Sequence, residues 1–131
     1  MTHLLDTDTC IGVLRQKPGF VQRLSALSPG DVAISAITTY ELFCGVEKAR
    51  DPAAERVKVE RLISAIVELQ LDRLSIQKAA QLRADLENRG MPIGPYDLLI
   101  AGQALAHGLV LVTNNVREFQ RAKELVLISW P

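Results

Sequence analysis

The sequence predicts an α/β domain in three layers, α/β/α, with a mainly parallel central sheet covered by helices on both faces. Three observations lead there. Short apolar runs, Leu4-Leu5, Val32-Ala33-Ile34 and Leu109 to Val112, each stop on polar residues, as buried strands do. Between them lie stretches with apolar residues at helical spacing. Strand and helix patterns alternate along the chain, which favours parallel pairing through helical crossovers. With 131 residues and 48% hydrophobic content, the chain is expected to be one domain, 1–131, around one core.

Leu4-Leu5 reads as the first strand, and Asp8 or Thr7 as the cap of a helix from Cys10 to Gln16. Pro18 opens a second helical pattern through Phe20 or Val21, Leu24 and Leu27, ended by Ser28-Pro29-Gly30. Val32 to Ser35 is the next buried strand. Ile37 to Ala49 then carries Leu42, Phe43 and Val46 on an inward stripe, with Glu41 on another side. Gly45, one turn beyond Glu41, costs about 1 kcal/mol against Ala in a helix, which fits a close approach to that face. Thr38 to Glu41 also fits a capping box, in which Glu41 would only bond back to the helix start.

Arg50-Asp51-Pro52 breaks the chain before a charged amphipathic helix with Val59, Leu62, Ile63 and Ile66 on one face. Val67 to Leu71 alternates like a half-exposed strand. Ile76, Ala79, Leu82 and Leu86 stripe another helix, stopped by Gly90 and Pro92. The helix after it has Pro95 at its first position and Gly108 just past its end. From Leu98 to Ala106 its only polar residue is Gln103, so it is a buried helix with Asp97 in its first turn. Leu109 to Val112 ends at Thr113-Asn114-Asn115, Val116 to Arg121 forms a short helix, and Val126 to Ile128 a last strand.

Composition narrows the function. Lys+Arg and Asp+Glu both number 15, so no overall positive field marks a nucleic-acid binder, and any such partner needs a local basic patch. No apolar run approaches the roughly 20 residues of a membrane span, and no signal core follows the N-terminus, so the protein is expected in the cytoplasm. Cys10 and Cys44 lack C-x-x-C spacing, which argues against zinc or a disulfide.

Parallel sheets bind ligands outside the carboxyl ends of their strands. Asp6 lies at one strand end, Glu41 on the helix leaving the next, and Asp97 in the first turn of the buried helix. All three can face one crevice. Asp97 alone also fits a plain complement to the helix dipole, worth roughly 0.3–1 kcal/mol. As a cluster, at ~6 Å and an effective dielectric of ~20, each like-charged pair repels by roughly 3 kcal/mol and calls for a proton or a cation. Oxygen-only ligands favour Mg²⁺ or Mn²⁺, because neither His3 nor His107 stands at zinc spacing.

The combination LLDTDTC, SAITTYEL, GPYDLLIAGQAL, LVTNNVREF and ISWP, in that order over nearly the whole chain, resembles the PIN-domain ribonuclease toxins of the VapC type. The resemblance implies a three-layer PIN-like domain and a cytoplasmic, Mg²⁺-dependent endoribonuclease of a toxin–antitoxin pair, usually dimeric and held inactive by a VapB-like antitoxin. It carries over Asp6, Glu41 and Asp97 as catalytic acids, with Asp6 and Asp97 as direct metal ligands and Glu41 acting through water. The family's fourth acid is replaced by Asn114-Asn115; Glu118, one turn onward, is the nearest acid that could stand in. GPYD together with TNNVREF is most similar to members that cut initiator tRNA in the anticodon stem-loop. Hydrolysis would leave 3′-hydroxyl and 5′-phosphate ends. Arg15, Lys17, Asn115, Arg117, Arg121 and Lys123 are the candidates for RNA contacts.

Two rival readings stand beside it. Asp6-Thr7-Asp8 after an apolar strand also resembles the haloacid-dehalogenase phosphohydrolases, although Cys10 stands where that motif has Thr or Val. A catalytically idle RNA- or protein-binding member would carry the same acids as structural groups.

Overall fold

The computed structural model describes residues 2–131. Strands β1 (His3–Leu5), β2 (Val32–Ser35), β3 (Val67–Leu69), β4 (Val110–Val112) and β5 (Leu127–Ile128) form one sheet in the order β3-β2-β1-β4-β5. Each neighbouring pair is parallel. Leu5 stands beside Ile34 on one side and Val112 on the other. Among the described residues the α-helices are α1 (Thr7–Leu14), α2 (Phe20–Ser25), α3 (Ala36–Lys48), α4 (Pro52–Ala65), α5 (Arg73–Asn88), α6 (Pro95–His107) and α7 (Val116–Phe119). None is long and apolar enough to cross a membrane.

The pleat sends alternate strand residues to opposite faces, and both faces are apolar, so the sheet sits between two cores. Leu4, Ala33 and Leu111 pack with Leu82, Leu86, Ile100 and Ala104 of α5 and α6. Leu5, Val32, Ile34 and Val112 pack on the other face with Leu42, Val46, Val59 and Leu62 of α3 and α4. Trp130 closes this second core edge-on against Phe20, with centroids 5.7 Å apart. Gly12 makes that possible, since a Cβ there would lie 2.5 Å from the Phe20 ring.

Helix α6 is buried along its middle, as its composition requires. Its one polar core residue, Gln103, is fully buried and donates from Nε2 to the Leu69 and Gln70 carbonyls at 3.2 Å each, tying the helix to the end of β3. Gly102 lies so close to α5 that a Cβ would come within 2.6 Å of the Ser75 carbonyl oxygen and 2.7 Å of the Ala79 Cβ.

The structure corrects several local expectations. Asp6 itself, not Asp8 or Thr7, caps α1, which begins three residues before Cys10. Pro18 precedes α2, whose cap is Gly19 in the left-handed region. On α5 it is Ser75, one turn before Ala79 and packed against Gly102, that is buried in line with Ala79, Leu82 and Leu86, while Ile76 is 43% exposed. Gly45 makes no close approach: a Cβ there would meet nothing within 4 Å.

In the order β3-β2-β1-β4-β5 the chain adds strands on one side of β1 and then on the other, so the strand order reverses between β1 and β4 while every strand stays parallel. The crevice at their carboxyl ends is the place where such sheets bind ligands.

Two glycine substitutions separate close packing from open helix surface. Gly102→Ala is expected to lower unfolding free energy by about 1–3 kcal/mol, since backbone must move. Gly45→Ala is expected to raise it by up to about 1 kcal/mol. Urea unfolding measures both, and an unchanged midpoint for Gly102→Ala would mean that α5 and α6 separate without cost.

Candidate active site

Asp6 leaves β1 at the crevice and is only 3% exposed. Its Oδ1 accepts the Thr9 N–H at 2.8 Å, and its Oδ2 accepts the Thr113 hydroxyl at 2.5 Å. Thr113 follows β4, so the two central strands hold one carboxylate between them. Burial pushes the Asp6 carboxyl above its usual range, and the bonds from Thr113 and Thr9 pull part of the way back. Each oxygen keeps an acceptor site beyond the bond it already accepts.

Glu41 lies in the second turn of α3 and does not form the capping box. Ser35 caps that helix, its Oγ accepting the Ile37 N–H at 2.9 Å. Glu41 reaches instead to α1, where its Oε1 accepts the Thr7 hydroxyl at 2.7 Å. The Thr7 hydroxyl is also 3.1 Å from that of buried Thr38. The position of Glu41 is thus set by a neighbouring helix.

Asp97 is the half-buried acid on which the others converge. Desolvation at the end of α6 and then the charges of Glu118, Asp6 and Glu41 push its carboxyl up to about 7. Four carboxyl groups from four segments therefore share one field. Glu118, on α7, is shifted the other way: its Oε1 accepts the Gly94 N–H at 2.9 Å and its Oε2 the Asn115 side-chain amide at 3.2 Å, and these bonds hold it below its usual range. Asp97 and Glu118 are shifted in opposite directions, so without a cation Asp97 takes up a proton before Glu118 does.

Among the described residues no three acidic, histidine or cysteine side chains are drawn tightly enough together to cage an ion by themselves. The donor set nevertheless fits a hard divalent cation that keeps much of its water, because it offers carboxylate oxygens and unrelieved negative charge. Softer ligands are absent from it. Cys10 is fully buried, and burial followed by the charge of Asp6 pushes its thiol far up. His107 pairs with Asp72 at 2.8 Å, at the opposite end of α6 from Asp97.

The basic candidates border the site on two sides. Arg15 and Lys17 line a cleft of about 530 Å³ with Asp8 and Asn114, and Arg15 also borders a cleft with Glu41. Arg117 lines another cleft with Arg89 and Lys123. Asn115 is engaged inside the site with Glu118, whereas Asn114 is exposed and its Oδ1 accepts the Ser129 hydroxyl. Arg121 is spent on structure, donating to the Pro92 carbonyl at 2.6 Å. The tethers Thr7, Thr38, Thr113 and the Gly94 amide went unread as functional groups in the sequence. Thr7 was visible as a possible helix cap and Thr113 as a strand end.

A family profile for the PIN domain matches residues 3–125. The chain is 39% identical over 99% of its length to the tRNA(fMet)-specific endonuclease VapC of Shigella flexneri, and 40% identical over the same share to that of Salmonella typhimurium, covering 98% of each. The chain belongs to the PIN-domain family, in its VapC branch. Solved structures agree with this VapC assignment. The fold superposes on DNA-bound VapBC from Salmonella typhimurium with a TM-score of 0.95 at 39% identity, covering 100% of this chain and 99% of that one. It matches VapBC2 of Rickettsia felis, bound to a promoter DNA fragment, with a TM-score of 0.94 at 32% identity, covering 100% of both chains. Membership in the VapC branch removes the haloacid-dehalogenase reading, and with it any nucleophilic role for the Asp6-Thr7-Asp8 run. Exposed Asp8 then only adds negative charge beside Asp6.

The pH dependence of stability follows from Asp97. Its carboxyl titrates near 3.9 in an unfolded chain and at about 7 in the folded one. The folded state therefore binds more protons between those values, and stability falls as pH rises from about 4 to about 7. In chelator at pH 7.5, Asp97→Asn is expected to raise Tm by about 4 °C, corresponding to roughly 1 kcal/mol after discounting for water screening. It should also flatten the pH profile. Equal melting of variant and parent across that range would show that the four carboxyls do not interact.

Proposed function

We propose that this protein is a metal-dependent endoribonuclease toxin that hydrolyses one phosphodiester of tRNA, the initiator tRNA in its anticodon stem-loop, and is neutralised by a cognate VapB-like antitoxin. The observation that carries the reading is the convergence of Asp6, Glu41 and Glu118 on Asp97 at the strand-order reversal. Near full-length similarity to VapC proteins named for tRNA(fMet) supports the substrate. The VapBC complexes among the structural relatives support the antitoxin, and we assign the working form as a homodimer.

Asp6 and Asp97 would hold the ion directly and Glu41 through water, with Glu118 taking the place of the missing fourth acid. We assign the ion as Mg²⁺, with Mn²⁺ able to replace it. When bound, such an ion supplies hydroxide near neutral pH and stabilises charge on the scissile phosphoryl oxygens. The chain's own residues provide position. Thr9 and Thr113 fix Asp6, Thr7 fixes Glu41, and Gly94 and Asn115 fix Glu118. Water adds to phosphorus, the 3′ oxygen leaves and takes up a proton, and the products carry 3′-hydroxyl and 5′-phosphate ends with no covalent enzyme intermediate. Arg15, Lys17 and Arg117 are placed to take backbone phosphates flanking the scissile one.

Antitoxin-free protein incubated with total tRNA and Mg²⁺ is expected to give one predominant cut. Chelator, Asp6→Asn or Asp97→Asn should each abolish it. If parent and variants cut alike, or the parent leaves tRNA intact, the nuclease reading falls and an idle binding module remains. Thr7→Val keeps shape but releases Glu41, and is expected to lower kcat about 10- to 100-fold while leaving Tm within a few degrees, as loss of a ligand-orienting partner does.

A further inference from the structure

Two large aromatic side chains sit beside the acids and are used by neither core. Tyr40 immediately precedes Glu41, and Tyr96 immediately precedes Asp97. They are 53% and 44% exposed, respectively. Their rings meet edge to face across the gap between α3 and α6, with centroids 5.7 Å apart and planes at 69°. An edge-to-face pair leaves ring surface open to solvent.

We infer that Tyr40 and Tyr96 form a stacking platform that grips one unstacked base of the RNA next to the scissile phosphate. The inference rests on the nuclease reading above and adds the contact that positions the substrate. The acids at this spot repel phosphate, and neither tyrosine lines the clefts that hold Arg15, Lys17 and Arg117. The exposed rings offer the site an uncharged contact that those cations do not. Single-stranded loops are recognised by splaying bases onto aromatic rings, which every base can do through its π-face. A ring one residue away from each of two catalytic carboxyls places that base close to the bond being cut. Duplex RNA, whose bases are already stacked, has nothing to offer this surface.

The test uses anticodon stem-loop RNAs carrying the fluorescent base 2-aminopurine at each loop position in turn, mixed with excess protein and read by stopped flow before cleavage. One position is expected to be quenched on binding. Tyr40→Ala and Tyr96→Ala should each lose that quench and raise KM about tenfold or more with kcat within about twofold. Tyr40→Phe and Tyr96→Phe should retain both. Quenching that survives in the Ala variants overturns the platform, as does its loss in the Phe variants, which would point to hydroxyl bonding instead. Ala variants that lower the sedimentation mass while binding RNA normally would assign the pair to contact between two copies of the chain and overturn it equally. A parent that quenches but cuts nothing keeps the platform and discards the nuclease reading; a parent that cuts with no quench at any position does the reverse.

Discussion

The organising constraint is the negative charge gathered where an apolar helix begins. Helix α6 must be buried because its sequence leaves it almost no polar face, and its burial carries Asp97 into a setting that disfavours ionisation. Three further carboxyls then lie close enough to push the same group upward. Uncompensated, such a cluster opposes folding at neutral pH. Its persistence is intelligible if a cation relieves it during function, and the destabilisation is then the physical counterpart of a strong site.

Three of the four acids are held by a group from another part of the chain. Asp6 is bridged to β4 through Thr113, Glu41 to α1 through Thr7, and Glu118 to the start of α6 through the Gly94 amide. Donors of this kind do two things at once. They remove rotational freedom from the carboxylate they touch, so its oxygens wait in place rather than being organised on binding, and at Asp6 and Glu118 they also favour the ionised form. Asp97 is the exception: its largest influences are burial and like charge, and it is the group whose protonation is left to the environment.

The parallel order of strands makes this crosslinking possible. Because β1 is the central strand, its carboxyl end is flanked by those of β2 and β4, and the segments that leave all three converge. A neutral overall charge is compatible with an RNA partner on these terms, since cations border the acids locally and the aromatic pair supplies contact on the remaining side.

Element by element, the sequence was informative where the signal is periodic and local. The burial of α6, its Pro95 start and Gly108 end, and the three apolar strands could be read directly, as could the candidate acids Asp6, Glu41 and Asp97. Two errors fell where packing between helices decides what a local pattern leaves open: Ser75 rather than Ile76 is buried, and Gly102 rather than Gly45 is the glycine that close packing needs; a third was local, since Asp6 rather than Asp8 caps α1 through the Thr9 amide. The capping-box alternative for Glu41 was equally consistent with its neighbours in sequence; Ser35 as the actual cap and the hydroxyl of Thr7 on another helix decide against it. By itself the sequence determined which elements form and which carboxyls they carry, because propensity and hydrophobic period act over a few residues. Tertiary structure alone decided the strand order, the threonine tethers and the raised affinity of Asp97 for a proton, because those depend on fields and bonds between groups as far apart as the 107 positions separating Asp6 from Thr113.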